Sequence, residues 1–158
     1  MKILLAIDGS EYSQAAIEEI ANMLFPPQTE VRIITVFSNS LQTTTSNVGF
    51  TGGMLGKYYQ EAIATARKSA EDILKDAARA VKAKNTALTV TTTLVDGFPK
   101  KAILEEAETY GADLIVVGSQ GHNAISRFLL GSVSHFVSLY AHCSVMIVRK
   151  RNNKYEDN

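Results

Sequence analysis

The strongest constraint on this chain is an alternation. Five short apolar or β-branched runs, at residues 3–7, 31–37, 88–95, 114–117 and 145–148, are separated by stretches whose apolar residues recur at helical spacing. Ile17, Ile20, Ala21 and Leu24 form one such stripe, and Ala66, Ala70, Ile73, Leu74, Ala77 and Val81 form another within 57–83. Ile103, Ala107 and Tyr110 mark a third helix, and Val133, Phe136, Val137 and Tyr140 a fourth. Continuous apolar runs suit strands covered on both faces. Strands alternating with helices predict an α/β fold, an open five-stranded parallel sheet with helices on both faces. The threonine-rich run at 88–95 alternates Leu88, Val90, Thr92 and Leu94 on one side, which predicts a position nearer an edge.

The punctuation agrees with this pattern. Ser10 is placed to cap the first helix, Pro26-Pro27 to stop it, Pro99 to open the third and Gly111 to close it. Residues 38–56 hold a Thr43-Thr44-Thr45 run and four glycines, Gly49, Gly52, Gly53 and Gly56, without periodicity, and read as a long mobile loop. Residues 151–158 read as a polar tail. Residues 1–150 therefore form a single domain, within the ordinary size range.

Composition excludes several classes. Sixteen basic and sixteen acidic residues give zero net charge, which argues against a nucleic-acid partner and against a polybasic membrane anchor. One cysteine, Cys143, rules out an internal disulfide and a cysteine-rich zinc site. The apolar stretch before Asp8 is too short for a signal peptide, and no run approaches a membrane span. A cytoplasmic location is expected.

In sheets of this kind ligands lie beyond the carboxyl ends of the strands, where strand order reverses. That directs attention to Asp8-Gly9-Ser10, Phe37-Ser38, Asp96-Gly97 and the segment from Gly118. This last segment reads Gly118-Ser119-Gln120-Gly121, nine residues, then Gly131-Ser132-Val133-Ser134. Glycines permit close approach, and a helix beginning at Gly131-Ser132 offers free N–H groups and the positive end of a dipole. Ser132 and Ser134 add hydroxyls. Together these read as a phosphate cradle. The plain alternative is a glycine turn of the sort common after strands, but the gap from Gly118 to Gly131 exceeds the roughly 2–6 residues of a simple connection. Neither a P-loop nor a G-x-G-x-x-G turn is present.

The chain resembles the universal stress protein family over nearly its whole length. The resemblance rests on Ile3-Leu4-Leu5-Ala6-Ile7-Asp8-Gly9-Ser10, Gly97-Phe98-Pro99, and Gly111-Ala112-Asp113-Leu114-Ile115-Val116-Val117-Gly118-Ser119. It continues through Phe128-Leu129-Leu130-Gly131-Ser132-Val133-Ser134 and His142-Cys143-Ser144-Val145-Met146-Ile147-Val148-Arg149. Nucleotide-binding members carry G-x-x-G, nine residues, then G-[ST], and Gly118, Gly121, Gly131 and Ser132 match this. The resemblance implies a Rossmann-like fold of the adenine nucleotide alpha hydrolase type and ATP as ligand, with ADP or AMP as alternatives and Mg2+ carried by the phosphates. It implies that the Asp8 carboxylate reaches ribose, that the Val36 backbone meets adenine, and that Ala6 and Val117 line the same crevice. Gly118, Gly121, Gly131, Ser132, Val133 and Ser134 would hold ribose and phosphates. It also implies a homodimer, and the bare apolar strand at 145–148 is suited to pairing with a second copy. Gln120 departs from the pattern, since a basic residue is often found there; Ser144 stands where proline is frequent.

The expected function is nucleotide-responsive regulation or stress tolerance through loop ordering and an unidentified protein partner. Slow ATP hydrolysis or autophosphorylation on the same site, and a non-nucleotide interaction module, are the alternatives. A few charge-assisted bonds plus base burial reach about 8 kcal/mol, a micromolar affinity. Efficient phosphoryl transfer needs a metal clamp and a cation as well, and only Arg127 and His122 in the loop offer positive charge. Asp8 with Asp96 suggests a receiver domain, but the second acid beside Asp8 and the lysine ending the last strand are missing. His122 as a solvated loop residue, Asp8 as a local cap and Cys143 as a small apolar residue are the plain readings of these three.

Overall fold

The computed structural model describes residues 1–37, 54–122 and 129–150. Its elements alternate: β1 (Lys2–Ala6), α1 (Glu11–Asn22), β2 (Glu30–Phe37), α2 (Met54–Lys84), β3 (Thr89–Asp96), α3 (Pro99–Tyr110), β4 (Leu114–Gly118), α4 (Ser132–Tyr140) and β5 (Ser144–Val148). All strand pairings are parallel, in the order β3-β2-β1-β4-β5. The expected fold class is therefore present, with β3 at one edge and β5 at the other. Of the expected loop at 38–56, residues 38–53 lie outside the described residues and 54–56 belong to the first turn of α2. Arg127, Phe128 and the expected tail at 151–158 also lie outside them.

β1 is central, and its side chains alternate between two cores. Ile3, Leu5 and Ile7 pack with Ile17 and Ile20 of α1 and with Leu74 and Val81 of α2. Leu4 and Ala6 pack on the other face with Ile103, Ala107 and Tyr110 of α3 and Val137 of α4. Burial on both faces is why β1 and β4 read as uninterrupted apolar runs.

The caps follow the sequence signals. Ser10 Oγ accepts the Ser13 N–H at 3.2 Å, and Gly111 closes α3 in the left-handed region at φ 68°. One expectation needs correction. Leu24 does not continue the α1 stripe, because the helix ends at Asn22 and Leu24 is 97% exposed. Met23 already adopts an extended conformation, upstream of the Pro26-Pro27 pair. Tyr140 likewise departs from the apolar face of α4. It is exposed and stacks on Phe136 with ring centroids 4.6 Å apart.

Strand order reverses between β1 and β4, which pair from Ile3↔Leu114 to Ala6↔Val117. The connections leaving these two strands run to opposite faces of the sheet, so a crevice opens beyond their carboxyl ends.

Candidate functional site

The first rim of the crevice is the turn from β1 into α1. Asp8 Oδ1 accepts the Ser10 N–H at 2.9 Å, and Gly9 takes φ 83°, which bends the chain into the helix. Ser13 Oγ donates to the Ser10 carbonyl at 2.9 Å. The plain role of Asp8 as a local turn-former is thus filled by one of its oxygens, and the other faces Gly121.

The second rim is the segment after β4. Ser119 is its anchor: its N–H donates to Val148 O at 2.7 Å, while its carbonyl accepts the Gly131 N–H at 2.8 Å and the Ser134 hydroxyl at 2.9 Å. Gln120 Nε2 donates to Leu129 O at 2.5 Å. His122 Nε2 lies 2.7 Å from the Asp8 carbonyl oxygen and ties the two rims together.

The motif glycines sit at close approaches. A Cβ on Gly118 would lie 2.7 Å from the Tyr12 carbonyl carbon, in the first turn of α1. On Gly121 it would lie 2.6 Å from Asp8 Oδ2, and on Gly131 3.0 Å from Gln120 Cα. At Gly118, β4 and the first turn of α1 therefore approach more closely than a side chain allows, while at Gly121 the neighbour is the end of the Asp8 side chain.

Gly131 is the N-cap of α4 and supplies no side-chain cap. Ser132, Val133 and Ser134, whose N–H groups have no acceptor within the helix, line the crevice. α1 differs in that the Ser10 hydroxyl accepts one of its starting N–H groups, that of Ser13.

The crevice is a cleft of about 530 Å³. Ala6, Asp8, Val36, Val117, Gly118, Gly121, Gly131, Ser132, Val133 and Ser134, the residues expected to contact the nucleotide, all line it, whereas Gly9, Ser10, Phe37 and Gly97 do not. The structure adds Ile34, two residues before Val36 on the same strand face, and Pro99 and Ile103, one turn apart on α3. Gln120, His122, Leu129 and Leu130 complete the loop side. The same-face spacing of Ile34 with Val36 and of Pro99 with Ile103 was available in the sequence as a signal. That α3 faces β2 across the cleft was not.

One wall is therefore apolar, from Ala6, Ile34, Val36, Ile103 and Val117. The other carries helix-start N–H groups and hydroxyls. This suits a ligand with a flat apolar part and an anionic end. Among the described residues no group of three or more histidine, cysteine or acidic side chains is placed to hold a metal ion. Asp96, His135, His142 and Cys143 do not line the cleft. Burial, and then the Asp113 carboxylate, push the Cys143 thiol above its ordinary range.

Residues 1–149 match the universal stress protein family. The universal stress protein YxiE of Bacillus subtilis is 34% identical over 149 residues, covering 94% of this chain and 98% of that one. The structure of universal stress protein UspA from Lactobacillus plantarum superposes with a TM-score of 0.77 at 26% identity, covering 94% of this chain and 97% of that one. A universal stress protein family protein from Arabidopsis thaliana, solved with AMP bound, gives a TM-score of 0.61 at 18% identity, covering all of this chain and 97% of that one.

Proposed function

The chain belongs to the universal stress protein family, and on that premise we propose that its cleft binds an adenine nucleotide, ATP foremost with ADP or AMP as alternatives, as a regulatory ligand. The observation that carries this reading is the start of α4. Three N–H groups without helical acceptors and the Ser132 hydroxyl stand beside an apolar slot large enough for a base. The bound AMP of the Arabidopsis neighbour supports the ligand class. In this proposal the base enters between Val36, Ile34 and Ile103, Asp8 accepts from ribose, and Gly118, Gly121, Gly131, Ser132, Val133 and Ser134 hold the phosphates. The lack of Cβ atoms at Gly121 and Gly131 fits such a ligand. Mg2+, if present, would be carried by the phosphates and would neutralise part of their charge.

Occupancy would bias the 118–131 segment and, through it, a surface read by another protein. The family membership and a described lining poor in cations favour binding over fast phosphoryl transfer. We place the protein in the cytoplasm, a reading supported by its single cysteine. Among the described residues no helix is long and apolar enough to cross a membrane.

Titration calorimetry with ATP, AMP and adenosine tests the ligand. Micromolar binding that weakens markedly for adenosine is expected, and no heat with any of the three would overturn it. Mass spectrometry of small molecules that copurify gives an independent reading of the preferred nucleotide. Single-turnover assays with labelled ATP and magnesium separate binding from slow hydrolysis. We further propose a homodimer through 145–148, supported by the edge position of β5. Sedimentation showing only monomer at micromolar concentration would refute it.

A further inference from the structure

The described wall of the cleft carries one permanent charge, and it is negative. Of the described residues that line it, only Asp8 and His122 are ionisable. Gln120, where a cation would be expected, directs its amide nitrogen to the Leu129 carbonyl. An anion arriving at the start of α4 is met by dipoles and hydroxyls, with a carboxylate nearby.

His122 can change that balance. Its Nε2 lies 2.7 Å from the Asp8 main-chain oxygen. A carbonyl oxygen only accepts, so Nε2 bears the hydrogen and the neutral ring keeps its lone pair on Nδ1. Protonation at Nδ1 leaves the contact with Asp8 intact. It adds a positive charge and a second donor to an exposed side chain on the cleft wall. Because the ring is already held by Nε2, little orientational freedom remains to be lost when an anion engages it.

We propose that the His122 imidazolium is a cation that the described wall of this cleft offers to a ligand phosphate, so that nucleotide affinity rises as pH falls. This rests on the nucleotide reading above and specifies how that site is regulated. Among the described residues, the charged side chain nearest in sequence to this contact is Asp8, whose main-chain oxygen the ring meets in the β1–α1 turn and whose carboxylate lies toward Gly121. From α2 the neighbour is Ile73, which crowds Gly9 on the same side. Glu11, in the first turn of α1, is engaged with Lys150. By linkage, a phosphate that prefers the imidazolium must draw a proton onto it when it binds.

The experiment is calorimetric titration of ATP into the full chain at about pH 6 and about pH 8, on either side of the ordinary imidazole range. Two buffers of different ionisation enthalpy report the protons taken up. Wild type is expected to bind about tenfold tighter at the lower pH, the effect of one modest charge-assisted contact, with proton uptake on binding. His122→Gln is expected to lose that dependence apart from the share due to the terminal phosphate of ATP. Equal pH dependence in wild type and variant would overturn the proposal while leaving nucleotide binding standing. Absence of ATP binding by wild type at both pH values would overturn the nucleotide reading, and this one with it. If the variant does not fold, the histidine ring-proton resonances of wild type decide instead. The His122 midpoint should rise on adding ATP while those of His135 and His142 stay; an unmoved His122 midpoint refutes the proposal.

Discussion

Gly118 and Gly121 belong to one motif, yet the structure gives them separable jobs, and alanine at each should fail in a different way. A Cβ on Gly118 would sit 2.7 Å and 2.8 Å from the Tyr12 carbonyl carbon and oxygen and 3.0 Å from the Ser13 nitrogen. All three are main-chain atoms in the first turn of α1, a helix fixed by the Ser10 cap and by buried Ile17 and Ile20. Relief requires α1 or β4 to move, and forced overpacking of this kind costs about 1–3 kcal/mol. A Cβ on Gly121 meets one atom that closely, Asp8 Oδ2 at 2.6 Å, the end of an exposed side chain. Asp8 can swing away, giving up its 2.9 Å bond from the Ser10 N–H for water, at roughly 1 kcal/mol or less.

Neither glycine has a positive φ, so both alanines gain about 0.4–1 kcal/mol from the stiffer unfolded chain. That gain cancels in the comparison between the two variants, and with about 1 kcal/mol or less set against Gly121→Ala, Gly118→Ala should be the less stable by up to about 3 kcal/mol. A Tm lower by up to roughly 10 °C follows for a domain of this size. Gly121→Ala should melt close to wild type but bind ATP at least about tenfold more weakly, since it displaces Asp8 and narrows the cleft. Thermal and urea unfolding followed by circular dichroism, with ATP calorimetry on both variants, reads all of this. If Gly118→Ala melts with Gly121→Ala or above it, the packing argument is wrong. If Gly121→Ala binds ATP as wild type does, the Asp8–Gly121 edge is not where ligand sits.

Ser10→Ala should lower stability by about 1 kcal/mol, the ordinary cost of an N-cap, seen as a lower urea midpoint with unchanged slope. Tyr110→Phe should alter the alkaline limb of the stability curve. Burial, then the Glu30 carboxylate, hold the Tyr110 phenol above its usual range, with the Arg32 guanidinium 4.0 Å from the ring centre opposing them. A folded-state value above the unfolded one gives stability that is full below about pH 10 and lost as pH rises through the raised value. Wild type should therefore fall more steeply than the variant as pH rises above about 10. Cys143, whose thiol is held up by burial, should react with iodoacetamide at neutral pH about tenfold or more slowly in the native protein than in urea. Equal rates would refute that reading.

Much of this was legible because the relevant physics is local. Ile3, Leu4 and Leu5 are fully buried, and a strand covered on both faces must be apolar at every position. Ser10, Pro99 and Gly111 act within a turn of where they stand. What was not legible is set by strand order. Nothing near Pro99 or Ile103 says that α3 leans over β2 beside β1, so that wall of the cleft was missed. Leu24 has the right spacing for a fourth α1 contact, but the helix stops at Asn22 before its turn is reached. Tyr140 has the right spacing on α4 as well, yet it gains its contact from Phe136 and leaves the core to Val137.

The glycine spacing also answers a question of cost. A ligand that had to order the start of α4 would spend much of its binding energy doing so. Here the carbonyl of Ser119 receives both the Gly131 N–H and the Ser134 hydroxyl, and the Ser119 N–H is tied to Val148. The first turn of α4 is thus fixed to the ends of β4 and β5, while Gly118 lets α1 close against the same strand. In the proposed complex, Ser134 would then serve as a bolt for the helix start, with its hydroxyl proton directed at main-chain oxygens. The N–H groups of that turn and the Ser132 hydroxyl would meet the phosphate. Ser134→Ala should accordingly weaken ATP binding by loosening the wall and lower the melting temperature together, whereas Ser132→Ala should weaken binding alone. Equal losses of stability in the two variants would contradict this division.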